Sequence, residues 1–404
     1  MSTDFFPRAE LPSSDVFRLR IDAIAAGAEG IGRLEGKSVF VRGTAPGDTA
    51  LCRVVEDHRS WARAELVEVI EGGGSRITPV CPYYGICGGC DLQHIDYEAQ
   101  LAAKTAIIKD CFSRIGGFTP IEPEIVPSPP WEYRNRMQFH CFPEENGQNS
   151  PARAIGLKAR KSGGIVPVTD CPIADKGIRA MLRDAGTAKS RLRPFPGKER
   201  FTVYARNGLF LYEGGPRQGA ARLLDKEITL DISVFFQSNG FLLETLIADL
   251  RELAAGADHS RAMADLYCGV GTFSIFLNDF FPHIDLLEEN RDALTLAREN
   301  LLFHTPGANA SFFAVKDTRW VKTEHGDYGF IVADPPRQGL APALSGWLAE
   351  RGPPLFAYVS CDPATLARDS KILRAGGYEL VRLRFYDFYP QTAHIESLAV
   401  FARQ

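Results

Sequence analysis

Cys361 stands in Ser360-Cys-Asp-Pro363, directly after the apolar run Leu355-Phe-Ala-Tyr-Val and before Pro363-Ala-Thr-Leu-Ala-Arg-Asp369. The run reads as a buried strand and the residues after Pro363 as the start of a helix. A thiol between a strand's end and a helix's positive end is placed to be a nucleophile, because the thiolate is the reactive form. Most lone cysteines are instead small buried hydrophobes, which suits Cys268. Asp265-Leu-Tyr-Cys-Gly-Val-Gly271 carries two glycines whose missing side chains let backbone approach a ligand closely. Glu288 closes the next apolar run, roughly 20 residues on, where an acid can hold both hydroxyls of a ribose. Its neighbour Glu289 is the alternative, with Asn290 and Asn300 favouring Glu288. Glycine pair and acid together fit an adenosine-containing cofactor. Asp334-Pro-Pro-Arg337 ends a third run, where two prolines stiffen the exit and present Asp334 at a rim.

A second constellation is Cys81-x5-Cys87-x2-Cys90, with Gly85, Gly88 and Gly89 between the thiols. The chain holds nine cysteines, an odd number with three inside ten residues, which suggests metal or cluster ligation more than disulfides. Thiolates suit zinc and iron–sulfur alike. Zinc ribbons usually pair two Cys-x2-Cys knuckles and only one such pair occurs here, which favours iron–sulfur.

These residues need elements to hold them. From about 226 to 404, buried strands (Met263–Tyr267, Ile284–Glu288, Gly329–Asp334, Leu355–Ser360) alternate with helices (Phe241–Ala254, Arg291–Leu302), the pattern of an α/β sheet with parallel strands. Ligands of such sheets sit at the carboxyl ends of the strands, where Glu288, Asp334 and Cys361 all fall. Residues 15–72 alternate apolar and polar positions in short runs divided by Gly-rich turns, which predicts a small β-barrel. Gly72-Gly-Gly-Ser reads as a linker, and Tyr97–Ile115 as a helix closed by Gly116-Gly117.

The whole chain, 404 residues with 45% hydrophobic and 24% charged, is too apolar for chain-wide disorder. No apolar run approaches the length of a membrane helix, and Met1-Ser-Thr-Asp lacks the layout of a signal peptide, so a cytoplasmic protein with no membrane partner is expected. The net charge of −4 hides an asymmetry: residues 151–225 hold fifteen Lys or Arg against six acids. A basic middle between acidic flanks can contact phosphates, although such stretches are often only solvated surface. Phe195 and Tyr204, interleaved with Arg191, Arg193, Lys198 and Arg200, are offered as base-stacking rings, against the plainer reading of a hairpin with core aromatics.

The series Phe236-Gln237-Ser-Asn239, Asp265-Leu-Tyr-Cys-Gly-Val-Gly271, Asp334-Pro-Pro-Arg-Gln-Gly-Leu340, Ser360-Cys-Asp-Pro-Ala-Thr-Leu-Ala-Arg-Asp369 and Asp387-Phe-Tyr-Pro-Gln-Thr-Ala-His-Ile-Glu396 resembles the RNA uracil-5 methyltransferase family. The resemblance covers the last 180 or so residues closely; residues 15–72 resemble the RNA-binding TRAM barrel, and Tyr133-Arg-Asn-Arg136 an element of the family's central domain. It implies a Rossmann-like S-adenosylmethionine methyltransferase domain at 226–404, preceded by an OB-like TRAM barrel at 1–73 and a central α+β domain with an iron–sulfur cluster at 74–225. It also implies Cys361 as nucleophile toward C6 of uracil, Glu396 as the base that removes the C5 proton, and Gln237, Tyr267, Glu288 and Asp334 on the cofactor, with Asp317 near adenine. Cys81, Cys87, Cys90 and the distant Cys171 match the ligands of the subfamily that carries a [4Fe-4S] cluster. TRAM barrel and cluster cysteines together resemble the members acting on 23S rRNA, so that RNA is the expected partner, with no obligate protein partner. Alternatives are a tRNA uridine methyltransferase, a non-catalytic RNA-binding or assembly factor, and an amino-directed methyltransferase, which would not need Cys361. Asp362 and Gln338 depart from the residues many relatives carry, which bears on substrate preference more than on reaction type.

Overall fold

A computed structural model describes residues 16–119, 121–143, 153–160, 163–185, 192, 199–323 and 326–403. The chain divides into two compact units, Met1–Ile107 with Gln391–Ala393, and Ile108–Pro390 with His394–Gln404.

The first unit holds a six-stranded sheet in the order Val16–Arg20, Thr49–Asp57, Trp61–Glu71, Lys37–Arg42, Glu29–Leu34, Ala23–Ala25. Neighbours run antiparallel except Lys37–Arg42 beside Trp61–Glu71, which are parallel. Alternate residues turn inward to a core of Leu19, Val39, Val41, Ala50, Cys52, Val54, Ala62 and Ala64, the period-two pattern of strands with one buried face. The glycines after this sheet are no free tether. Gly73 donates its N–H to Asp48 Oδ1 at 2.9 Å, and a Cβ there would come within 2.2 Å of the Pro46 carbonyl oxygen. Burial pushes the Asp48 carboxyl up, but the Arg76 guanidinium and the N–H groups of Ala45 and Gly73 outweigh it and hold it below its ordinary value.

The helix at Tyr97 ends its regular turns at Cys111 and continues as a wider turn, Phe112–Gly116, closed by Gly117 at φ 68°, the left-handed cap that the paired glycines predict.

The second unit contains an antiparallel five-stranded sheet in the order Ile165–Pro167, Arg153–Lys158, Arg136–Pro143, Arg200–Arg206, Leu209–Tyr212. It also contains the eight-stranded sheet that carries the chemistry. Five strands of that sheet are parallel, in the order Ala310–Phe313, Ile284–Leu287, Ala262–Leu266, Tyr328–Ala333, Leu355–Ser360. The expected parallel strands are joined by others that make the sheet mixed: Glu396–Ala402 returns antiparallel between Leu355–Ser360 and Glu379–Tyr386, and Glu124–Val126 completes the edge. Helices Gly240–Ala255, Arg291–His304 and Pro363–Ala375 supply buried faces, with Leu243, Leu250, Ala297, Leu301, Leu366 and Leu373 fully enclosed. Each is capped by a side chain from the preceding loop: Asn239, Asn290 and Asp362 each accept two N–H groups of the first turn.

Candidate active site

Parallel register brings the chemistry-bearing residues to one edge. Leu266 is level with Leu287 on one side and Ala333 on the other, and Ala333 with Tyr358. The next residues out, Tyr267, Glu288 and Asp334, therefore leave adjacent strand ends together. They line one cavity of about 1240 Å³ with Gln237, Gly269, Arg337, Cys361, His394 and Glu396.

Glu288 closes the glycine loop rather than hanging free. Its Oε2 accepts the Gly269 N–H at 3.1 Å and its Oε1 accepts the Asn290 N–H at 2.8 Å. Glu289, which lines the same cavity, is exposed and reaches Lys316 at 3.6 Å. Gly269, at φ 54°, has open space where a side chain would stand; Gly271, at φ 79°, packs so tightly that a Cβ would meet Ala297 Cα at 3.0 Å. One glycine thus leaves room for a ligand and the other for a helix. Asn300 is engaged elsewhere, donating to the carbonyls of Val270 and Thr229. Tyr267, itself at φ 62°, donates its hydroxyl to Asp317 Oδ2 at 2.6 Å. Burial first, and that carboxylate second, push the phenol well up, so it stays protonated.

Asp334 is partly exposed as a residue, yet its carboxyl is removed from water, which pushes it up to about 7 against a hydrogen bond from Gln237 that lowers it. Gln237 Oε1 in turn lies 3.5 Å from the Tyr389 hydroxyl. The turn after Asp334 is held by Asp369, whose Oδ2 accepts the Leu340 N–H and the Tyr358 hydroxyl, both at 2.9 Å.

Cys361 and Glu396 are 35 positions apart in the chain, and the antiparallel strand brings them together. Ser360 pairs with Ser397, so the next residue of one strand's exit and the first residue of the other, Cys361 and Glu396, come to line one cavity. Asp362 caps the helix after Cys361 by accepting the N–H groups of Ala364 and Thr365 at 3.0 and 2.9 Å, which an asparagine does equally well. The helix N-terminus does not by itself ionise the thiol. Burial, then Glu396 and Asp334, push Cys361 up to about 12, with Arg337 opposing them. Glu396 is 3% exposed, and burial and Asp334 raise it well above the ordinary carboxylate range. Its Oε1 has no hydrogen-bond partner among the described residues.

Spacing gave no hint of the cavity's other walls: Arg134 lies over the Tyr389 ring at 5.9 Å, Arg136 over Phe235 at 6.0 Å, and His394 edge-on to Tyr389 at 5.4 Å. Only the fold assembles them.

The geometry corrects one expectation about RNA contact. Tyr204, offered as a base-stacking ring, is 2% exposed and packs edge-on against Phe236 in the core. Several cations of the basic segment are already paired, Arg179 and Arg183 with Asp170, Arg206 with Glu244 and Arg217 with Asp231. Lys161, Lys189, Arg191, Arg193, Phe195 and Lys198 lie outside the described residues. Cys81, Cys87 and Cys90 are half-buried in the first unit, where the Gly89 N–H donates to Cys87 Sγ at 3.4 Å, and Cys171 is buried in the second. Among the described residues no three His, Cys, Asp or Glu side chains form a group that could hold a metal.

A family model described as TRAM domain matches residues 15–67, and one described as tRNA (Uracil-5-)-methyltransferase matches residues 225–404. An uncharacterised RNA methyltransferase of Treponema denticola is 31% identical, over 91% of this chain and 94% of its own. The 23S rRNA (uracil(1939)-C(5))-methyltransferase RlmD of Shewanella amazonensis is 30% identical, over 95% of this chain and 94% of its own. The chain belongs to the RNA (uracil-5-)-methyltransferase family. The tRNA (uracil-54, C5)-methyltransferase of Pyrococcus abyssi, solved with S-adenosyl-L-homocysteine, shares the methyltransferase's fold: TM-score 0.71 at 24% identity, covering 96% of this chain and all of that one. The enzyme is an S-adenosylmethionine-dependent RNA methyltransferase, and among its described residues no helix is long and apolar enough to cross a membrane.

Proposed function

We propose that this methyltransferase methylates C5 of a uridine in 23S rRNA through a covalent Cys361–C6 adduct. What supports the reading is the return strand pairing Ser360 with Ser397, next to Cys361 and Glu396, which line the same cavity as Gly269, Glu288 and Asp334. Uracil C5 is a weak nucleophile. Addition of the Cys361 thiolate to C6 moves the ring's double-bond electrons toward O4, giving an enolate whose C5 is electron-rich. Bound S-adenosylmethionine supplies the electrophilic methyl group. Glu288 suits its ribose, Gln237 and Tyr267 the wall beside it, and Asp334 the rim between cofactor and base. With C5 methylated, Glu396 takes the C5 proton, the C6–S bond breaks, and the thiolate leaves. A buried carboxyl with a raised proton affinity suits a base that works near neutral pH.

The substrate class rests on relatives named for 23S rRNA over nearly their whole length, such as that of Aeromonas salmonicida at 27% identity. A tRNA substrate is the second reading, favoured by the fold shared with the Pyrococcus abyssi enzyme. In this division of labour residues 1–73 and the basic 151–225 segment grip phosphates while 226–404 receives a uridine taken out of its stack, and the enzyme works in the cytoplasm, where its RNA is. A [4Fe-4S] cluster on Cys81, Cys87, Cys90 and Cys171 is supported by the spacing of the first three, by the resemblance that adds Cys171, and by the N–H donated to Cys87 Sγ. Iron and sulfide at about four atoms each per anaerobically purified chain support it; zinc alone, or neither, ends it.

The deciding experiment incubates the protein and S-adenosylmethionine with 5-fluorouracil-substituted transcripts of 23S rRNA and tRNA. Fluorine at C5 cannot leave as a proton, so a denaturation-resistant adduct accumulates on the true substrate, at Cys361. Adduct on tRNA alone reverses the substrate assignment. No adduct on either RNA, from protein that binds the cofactor, removes the covalent mechanism.

A further inference from the structure

The reaction as drawn gives Arg337 no task, yet Arg337 is built into the cavity from three sides. Pro335 and Pro336 set its turn, and its carbonyl oxygen accepts the Thr365 hydroxyl at 3.3 Å, on the helix that begins beside Cys361. Its Nη2 donates to His394 Nδ1 at 2.9 Å. That nitrogen can accept only when the imidazole is neutral, so the contact defines a neutral His394. Arg337 and His394 line the same cavity as Cys361, Asp334 and Glu396.

The charges that act on Cys361 are two acids and one cation. Burial foremost, and then Glu396 and Asp334, disfavour the Cys361 anion; Arg337 is the cation that opposes them. The same guanidinium acts on Glu396 in the same sense, against burial and Asp334. A nucleophile and a base that must both be anionic, side by side in a low dielectric, need a fixed positive neighbour.

We propose that Arg337, steadied by neutral His394, is the positive group that stabilises the Cys361 thiolate beside Glu396 and Asp334, with His394 as its positioning residue. The proposal rests on the reading of Cys361 as nucleophile.

The test follows alkylation of Cys361 by iodoacetamide from pH 7 to 10 in the full-length protein, read on the Cys361 peptide by mass spectrometry. Cys111, half-buried and facing Asp110, Asp362 and Arg114 rather than Arg337, is the internal control. Arg337→Gln lowers the Cys361 rate at a given pH about tenfold, the loss of thiolate that one pKa unit brings. It leaves the Cys111 rate unchanged. Arg337→Lys, which keeps the charge, recovers most of the rate, and His394→Ala lies between. A Cys361 profile in Arg337→Gln that superimposes on the parent's overturns the proposal, and so does equal loss in the Lys and Gln variants, which marks shape rather than charge. Failure of the underlying reading is seen separately: the parent then forms no adduct with 5-fluorouracil RNA, whatever its alkylation profile.

Discussion

Glu396 Oε1, buried without a hydrogen-bond partner among the described residues, is an acceptor kept open at some cost to the fold. An oxygen in that state suits a proton donor that arrives with substrate. Glu396→Gln is expected to allow addition and methyl transfer but stall the elimination. Turnover falls by roughly 10²–10⁴-fold, the usual worth of a general base, and methylated RNA stays bound to Cys361 through denaturing electrophoresis. Release of free methylated RNA at the parental rate denies Glu396 its role. Cys361→Ala removes the adduct altogether, and an active Cys361→Ala enzyme points to amino-directed chemistry. The thiol and the base are both pushed up in the free enzyme, so the anionic forms gain as pH rises. The kcat/KM of the parent is accordingly expected to climb from pH 6 to 9, and a profile flat across that range contradicts the assignment.

Elements position those atoms through loops that are short and tightly bonded. The turn from Pro335 to Leu340 hangs on Asp369, a carboxylate 1% exposed and paired also with Arg368 at 2.7 Å. Gly339 within the turn has φ 76°, and a Cβ there would come within 2.5 Å of Asp369 Oδ2. Asp369→Ala leaves the Leu340 N–H and Tyr358 hydroxyl without their acceptor. A loss of about 2–6 kcal/mol in denaturant unfolding is expected, since each of the two orphaned buried donors costs about 1–3. Asp369→Asn keeps an acceptor and loses less. If Asp369→Ala unfolds like the parent, this clamp does not hold the turn. The N-cap Asn239 acts similarly: its Oδ1 takes the Phe241 and Leu242 N–H groups while its Nδ2 donates to Ser128 and Phe388, fixing the backbone two residues beyond Gln237.

Across the whole molecule, buried carboxyls set how stability follows pH. Asp265, 1% exposed, accepts the Ser274 N–H and hydroxyl at 3.0 and 2.5 Å, yet burial pushes it up to about 7. Between about pH 4 and 7 the folded chain therefore holds a proton that the unfolded chain has released. Stability from this group is full below pH 4, falls as pH rises toward 7, and is level above. Asp265→Asn, which can still accept both bonds, is expected to gain thermal midpoint relative to the parent progressively from pH 4 to 7. A difference that does not change with pH over that window refutes the assignment. Asp170 works the other way: the Arg179 guanidinium, foremost, holds it well below the usual carboxylate range, so its contribution is present at neutral pH and lost only in strong acid.

Local chemistry was legible in the sequence wherever one residue type alone meets a local demand. Gly269 and Gly271 are needed for their positive φ and close approach and Gly117 for a left-handed helix end, and each sits where the chain's pattern puts it, whereas the caps Asn290 and Asp362 emerged only with the structure. The parallel strand ends were legible too, because apolar runs closed by acids mark the rim of such a sheet. What sequence left open depends on distance along the chain. The return strand Glu396–Ala402 alternates poorly, being buried on both faces, so its antiparallel register and the meeting of Cys361 with Glu396 could be named only by resemblance. Tyr204 looked like a surface ring because charges surround it in sequence, whereas the antiparallel sheet turns it inward onto Phe236. The sequence by itself determined the residue types, the local turns and the reaction they suit. The tertiary structure decided which charges face each other: Arg337 with His394, and both carboxyls with the thiol, because electrostatic coupling depends on separation in space and on burial rather than on order in the chain.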